Sequence, residues 1–134
     1  MSREIKFRGK RLDNNEWVYG SLCLDPYRGD AEISDHDDIN LMMVDVNPDT
    51  VGQFTGLEDN NGKEIYEGDI LDCTVFDFNG NDKQYRVKIE WCYTEFCGFV
   101  IGKGGVWWNL HFLWEQDDEI EVIGNIYDNP ELLK

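Results

Sequence analysis

The most reactive side chains of this 134-residue sequence are four cysteines, Cys23, Cys73, Cys92 and Cys97, and two histidines, His36 and His111. A structural zinc site takes its ligands in closely spaced pairs. There is no C-x-x-C, and Cys92 and Cys97 have no second pair at zinc spacing, so the cysteines are expected to be free thiols, most of them packed on strands. His36 lies in Asp35-His36-Asp37-Asp38, where hard carboxylates surround one imidazole. Those four residues are the candidate cation ligands of the chain. A solvated acidic loop has the same composition and is the preferred reading, so no metal is expected. His111, between Leu110 and Phe112, reads as a packed or surface histidine on a strand. Two histidines and no G-x-S-x-G elbow give no nucleophilic triad.

Two turns imitate a calcium loop and fail. With Gly62 at the invariant glycine position, the terminal ligand positions fall on Leu57 and Gly68; with Gly80 there, they fall on Val75 and Arg86. Gly102-Lys103-Gly104-Gly105 is too short for a P-loop and reads as a hairpin connection. With 28 acidic residues, any one carboxylate pair is uninformative as a glycosidase signature. Nothing selects a nucleophile, an acid or an electrophile. The expectation is a non-enzymatic protein with no catalytic residue and no cofactor.

The dominant hydrophobic period is two, which specifies strands. Ile5 and Phe7 alternate with charged residues, and residues 16–24 follow after the turn Asp13-Asn14-Asn15, predicting an N-terminal hairpin. Residues 25–38 are polar and read as a loop with a short strand around Ile33. Leu41–Val46 reads as a strand stopped by Asn47-Pro48-Asp49. Asn61-Gly62 and Asn79-Gly80 are tight-turn signals. A strand is predicted over Ile70–Phe78. The clearest alternation, Tyr85, Val87, Ile89, Trp91 and Tyr93, predicts another. Strands are also expected over 96–101, 106–114 and 119–126, with a helical turn at Pro130. Short strands with turns between them imply a mainly β fold, a sandwich or a barrel.

Charge divides this pattern. The chain carries 12 basic and 28 acidic residues, net −16. Residues 1–24 are net +2, 25–72 net −12, 73–114 neutral and 115–134 net −6. The neutral block holds 11 of the 18 aromatic residues, as a buried core would. An excess of acid argues against a non-specific nucleic-acid binder and against docking on anionic membranes. No apolar run approaches the roughly 18 residues of a membrane span, and the first residues lack a signal-peptide apolar stretch. A cytoplasmic location is expected.

Three stretches together are specific: Arg3-Glu4-Ile5-Lys6-Phe7-Arg8, then Thr50-Val51-Gly52-Gln53-Phe54-Thr55-Gly56-Leu57 running on to Asn61-Gly62-Lys63-Glu64-Ile65-Tyr66-Glu67-Gly68-Asp69-Ile70, and Ile120-Glu121-Val122-Ile123-Gly124-Asn125-Ile126-Tyr127-Asp128-Asn129-Pro130-Glu131-Leu132-Leu133. In this order they resemble the YopX family of phage and prophage proteins over essentially the whole chain. The resemblance implies an SH3-like small barrel in the C-terminal half, a phage or prophage origin in a bacterial host, and self-association. It implies no activity and carries over no catalytic residue. The expected organisation is an N-terminal β subdomain, 1–57, with the acidic loop, and an SH3-like β-barrel subdomain, 58–134, forming one compact unit.

Three functions fit this reading. The first is an oligomeric interaction module, with Arg3, Lys6 and Arg8 of the basic hairpin docking on an acidic block of a second copy. The second is an acidic DNA mimic acting on a host nucleic-acid-binding protein. The third, disfavoured by net charge, is nucleic-acid binding through Trp107 and Trp108 as stacking platforms.

Overall fold

The computed structural model describes residues 4–35, 42–76, 80–116 and 119–134, which divide into two compact units, Met1–Gly56 and Leu57–Lys134. In the first, β1 (Phe7–Lys10), β2 (Trp17–Asp25), β3 (Asp30–Asp35) and β4 (Met43–Val46) precede a 3₁₀ turn, Pro48–Thr50. β5 (Gly52–Glu58) then runs across the division, and β6 (Glu64–Tyr66) follows. The sheet order is β4-β3-β2-β1-β5-β6. Register pairs Phe7 with Gly20 and Gly9 with Val18, and sets Ile33 between Leu22 and Val44. One face therefore gathers Val18, Ala31, Ile33 and Val46 into a core, with Phe7, Leu22, Val44 and Val51 against it. The predicted alternation of the N-terminal hairpin is what produces this face.

The short strand expected around Ile33 within 25–38 is β3, which runs the full length from Asp30 to Asp35. β2 and β3 form a hairpin, and the Asp25 carboxylate accepts hydrogen bonds from the Tyr27 and Arg28 amides in its turn. Ala31 and Ile33 are buried, so two apolar residues among acids suffice to anchor a strand.

The second unit contains β7 (Asp69–Phe76), β8 (Asp82–Cys92), β9 (Glu95–Val100), β10 (Trp107–Asn109), helix α1 (Leu110–Gln116), β11 (Glu121–Asn125) and a final 3₁₀ turn, Pro130–Leu133. Its strands are antiparallel in the order β10-β9-β8-β7-β11. The mainly β expectation holds. The SH3-like barrel does not close: β10 and β11 end the strand order and do not pair with each other among the described residues. Between them the chain turns into α1, where residues 106–114 were expected to be one strand. Leu110 and Leu113, spaced one helical turn apart, are both buried against the core of Leu71, Val87, Ile89, Phe96 and Val122. The Asn109 side chain accepts the Phe112 amide at the start of α1.

Candidate functional site

Among the described residues, Lys6, Arg8, Lys10 and Arg11 of the basic hairpin each lie against a ring or a carboxylate of the same unit. Arg3 lies outside the described residues. Arg8 is 4% exposed, and its guanidinium lies over the Trp17 ring, 4.5 Å from the centroid. Lys6 sits 5.1 Å from the centre of the Phe54 ring and 3.6 Å from the Glu4 carboxylate. Arg11 forms a two-pronged contact with Asp13 at 3.0 and 2.8 Å. That hydrogen bond holds the Asp13 carboxyl below its usual range. Alternation over residues 6–10 sets Lys6, Arg8 and Lys10 on one face, beside aromatic rings that take up their stems and charge.

Of the candidate cation ligands, Asp35 ends β3, opposite Gly20. His36, Asp37 and Asp38 lie outside the described residues. Among the described residues no group of three or more His, Cys, Asp or Glu is arranged to hold a metal ion. All four cysteines are free thiols, Cys23 exposed and Cys73 and Cys97 buried. Burial, aided by Cys92 and Glu95, pushes the Cys97 thiol up to about 11, so it is a poor nucleophile at neutral pH. His111 is exposed on α1, stacked on Trp114 and 3.5 Å from Glu115.

Trp107 and Trp108 do not form a paired platform. As neighbours on a strand they point to opposite faces. Trp108 is half-buried and packs on Tyr85, with ring centroids 5.0 Å apart, at the edge of the core. Trp107 is 46% exposed and lies beside Phe99, with centroids 6.2 Å apart. Exposed apolar side chains continue along the same segment at Val106, Phe112 and Trp114.

Beside Phe99 a cavity of about 410 Å³ opens beneath the β9–β10 hairpin. Its apolar wall is Phe99, Val100, Val106 and Leu133, and its rim is the Gly102–Gly105 turn with Lys88 and Lys103. Lys88 is 3.1 Å from Glu90, while Lys103 lies 5.9 Å from the Tyr85 ring centre. The sequence showed the glycine turn but not this pocket, since Phe99, Lys88 and Leu133 are brought to it by strand register and by the final turn.

The motif-bearing stretches have structural roles. Asp59 Oδ1 accepts the amides of Asn61 and Lys63, and Oδ2 accepts that of Val122, tying the Asn61-Gly62 turn to β11. Asn125 Oδ1 accepts the amides of Tyr127 and Asp128, and Asn129 Oδ1 returns to the Asn125 amide. A Cβ on Gly124 would lie 2.5 Å from that Asn129 oxygen, so a larger residue there would have to displace the Asn129 side chain from the turn.

No helix among the described residues is long and apolar enough to cross a membrane. Comparison with curated proteins finds no match. A solved structure, protein EF1440 from Enterococcus faecalis, is similar over 99% of this chain and 100% of its own, with 26% identity and a TM-score of 0.60. The family model described as YopX protein matches residues 6–134, which takes in the central and closing motifs and the strands that they tie together: the chain belongs to the YopX family.

Proposed function

We propose that the protein is a non-enzymatic interaction module of phage or prophage origin, working as a homo-oligomer in the cytoplasm of a bacterial host. The observation that carries this reading is the strand–helix segment 106–114, where Val106, Trp107, Phe112 and Trp114 are each between 37% and 46% exposed. Large apolar side chains gathered on one segment mark protein contact surfaces, and aromatic anchors dominate their energetics. The occupant is a second copy of the chain, the self-association that the family resemblance implies.

The structure changes the expected salt dependence of this association. Docking by a basic hairpin would weaken with salt. Apolar contact between two copies of net charge −16 strengthens with salt, because the repulsion between them is screened. Light scattering of the full chain tests this. The expected result is a dimer or larger mass that increases from about 0.01 to about 1 M salt, and that Trp107→Ser with Phe112→Ser returns to monomer. A monomer at every salt concentration overturns it.

One observation favours the acidic mimic as a second reading. Register places Asp25, Asp30, Glu32 and Asp45 on the face of the first sheet opposite its core. Alternate residues along β3 are about 6.7 Å apart, a spacing suited to a basic partner that tracks phosphates. Affinity capture from host lysate should recover a basic, nucleic-acid-binding protein that Glu32→Gln with Asp45→Asn releases. Recovery of none counts against this reading.

A further inference from the structure

We propose that β10 pairs edge to edge with β10 of a second copy, antiparallel and centred on Trp107, so that the β10-β9-β8-β7-β11 sheets of two copies run on into one another. The inference rests on the self-association proposed above and names its mode.

An open sheet edge is the first argument. A strand at the end of a sheet presents a row of amides and carbonyls that invites another strand, and proteins usually cover such an edge or charge it. The strands that end the two sheet orders are β4, β6, β10 and β11. β4 is covered by the segment that follows β1: the Leu12 amide donates to the Asp45 carbonyl, and Arg11 bridges to Val46. β6 carries Glu64, its Ile65 and Tyr66 are buried, and the Tyr66 amide donates to the Asp69 carboxylate. β11 is covered by the Asp59 turn: the Asn60 amide donates to the Ile120 carbonyl, and the Val122 amide to Asp59. Among the described residues nothing pairs with the outer edge of β10.

Register sets which groups that edge offers. The Val100 amide donates to the Val106 carbonyl, and Trp107 lies opposite Phe99. Hydrogen-bonded and non-bonded pairs alternate along an antiparallel ladder. The backbone of Trp108 therefore bonds to Gly98 of β9, while Trp107 turns both its amide and its carbonyl outward. The Asn109 amide points the same way. Centring two copies on Trp107 makes reciprocal bonds between the two Trp107 residues and sets each Asn109 amide against a Gly105 carbonyl. It also brings the two Trp107 side chains together on the face that carries Phe99.

Charge selects a second copy as the occupant. Between Glu95 and Glu115 the one formally charged residue is Lys103. The other edges carry Asp45, Glu64 and Glu121. Two chains of net charge −16 repel each other least where they meet through the uncharged stretch, and a basic partner finds no carboxylate within it. Antiparallel pairing about one residue uses the same patch twice, the condition for a two-fold contact between identical chains.

Hydrogen exchange resolved to single amides tests this on the full chain, at a salt and protein concentration where light scattering gives a dimer, and again after dilution to monomer. The Trp107 and Asn109 amides are expected to exchange at least about tenfold more slowly in the dimer. The Trp108 amide, bonded to β9, should be protected in both. Trp107→Ala and Trp107→Pro give a second measurement. Both remove the ring, and only proline removes the outward amide, at an edge position that tolerates it. Proline should weaken dimerisation by about tenfold or more beyond alanine, with both variants keeping the circular dichroism of the parent. A dimer whose Trp107 and Asn109 amides exchange as fast as in the monomer, or equal weakening by the two substitutions, overturns strand pairing and leaves contact through side chains alone. A chain that never dimerises overturns the pairing and the self-association together.

Discussion

Asp59 uses both carboxylate oxygens on backbone amides, two on its own turn and one on β11, while being 7% exposed. An asparagine keeps the size of the side chain but replaces one acceptor with a donor. Asp59→Asn therefore sets an N–H against either the turn or Val122, and should cost about 2–3 kcal/mol, read as a lower urea midpoint. An unchanged midpoint would mean that the motif is held by its backbone alone. Cys97 gives the pH counterpart. Its folded thiol titrates at about 11, above the ordinary 9.0. Above the ordinary value the unfolded chain loses its proton first, so the unfolded state gains stability there. The contribution is intact below pH 9 and is lost as pH rises toward 11. Thermal unfolding should fall more steeply over that window in the parent than in Cys97→Ala, each measured against its own value at pH 8. In the native protein iodoacetamide should label Cys23 well before Cys97. That Cys97 is a free, packed thiol was legible in the cysteine spacing, whereas the role of Asp59 was not. The sequence marks Asp59 as a turn former but cannot show that its second oxygen reaches β11, 63 residues away.

Strands were legible where apolar residues alternate, as in β8, because period two is the direct consequence of side chains leaving opposite faces. Helix α1 was not. Seven residues carry only one apolar spacing of three, Leu110 to Leu113, and the tryptophans before them favour strands. β3 was legible only around Ile33: its acids suggested loop on either side, yet alternation of Ala31 and Ile33 with Asp30, Glu32 and Ser34 carries the strand from Asp30 to Asp35. The hairpin that β3 makes with β2 depends on Gly20. A Cβ there would stand 1.8 Å from the Ser34 carbonyl oxygen, a backbone atom that cannot yield without breaking the pairing. Gly20→Ala should destabilise the first unit by roughly 3 kcal/mol, the upper end of single substitutions. Gly29, in the turn of the same hairpin, has φ 73° and open space around it. Gly29→Ala should cost only about 1 kcal/mol, the strain of a left-handed alanine. Urea unfolding followed by circular dichroism ranks the two, and an equal or reversed order would contradict the packing argument.

At the scale of the molecule the question is where a net charge of −16 acts. The first unit carries 6 basic and 11 acidic residues and the second 6 and 17, so the second is the more strongly charged. The described ion pairs are mostly exposed contacts such as Arg86–Asp72 at 3.8 Å and Lys88–Glu90 at 3.1 Å, and exposed pairs contribute little. Self-repulsion among the unpaired carboxylates then outweighs attraction, and screening it should stabilise the fold. The Debye length falls from about 30 Å at 0.01 M to about 10 Å at 0.1 M, which removes long-range repulsion and leaves contacts nearly intact. The thermal midpoint at neutral pH should rise by a few degrees over that change, the shift expected for roughly 1 kcal/mol in a chain of this size. Measuring at protein concentrations low enough to keep one mass separates this from salt-driven association. Replacing sodium chloride with potassium chloride should give the same midpoint, because screening depends on ionic strength and not on the ion. A midpoint that falls with salt would place the balance on the ion pairs, and would make Arg86 and Lys88 contributors to stability and not surface decoration.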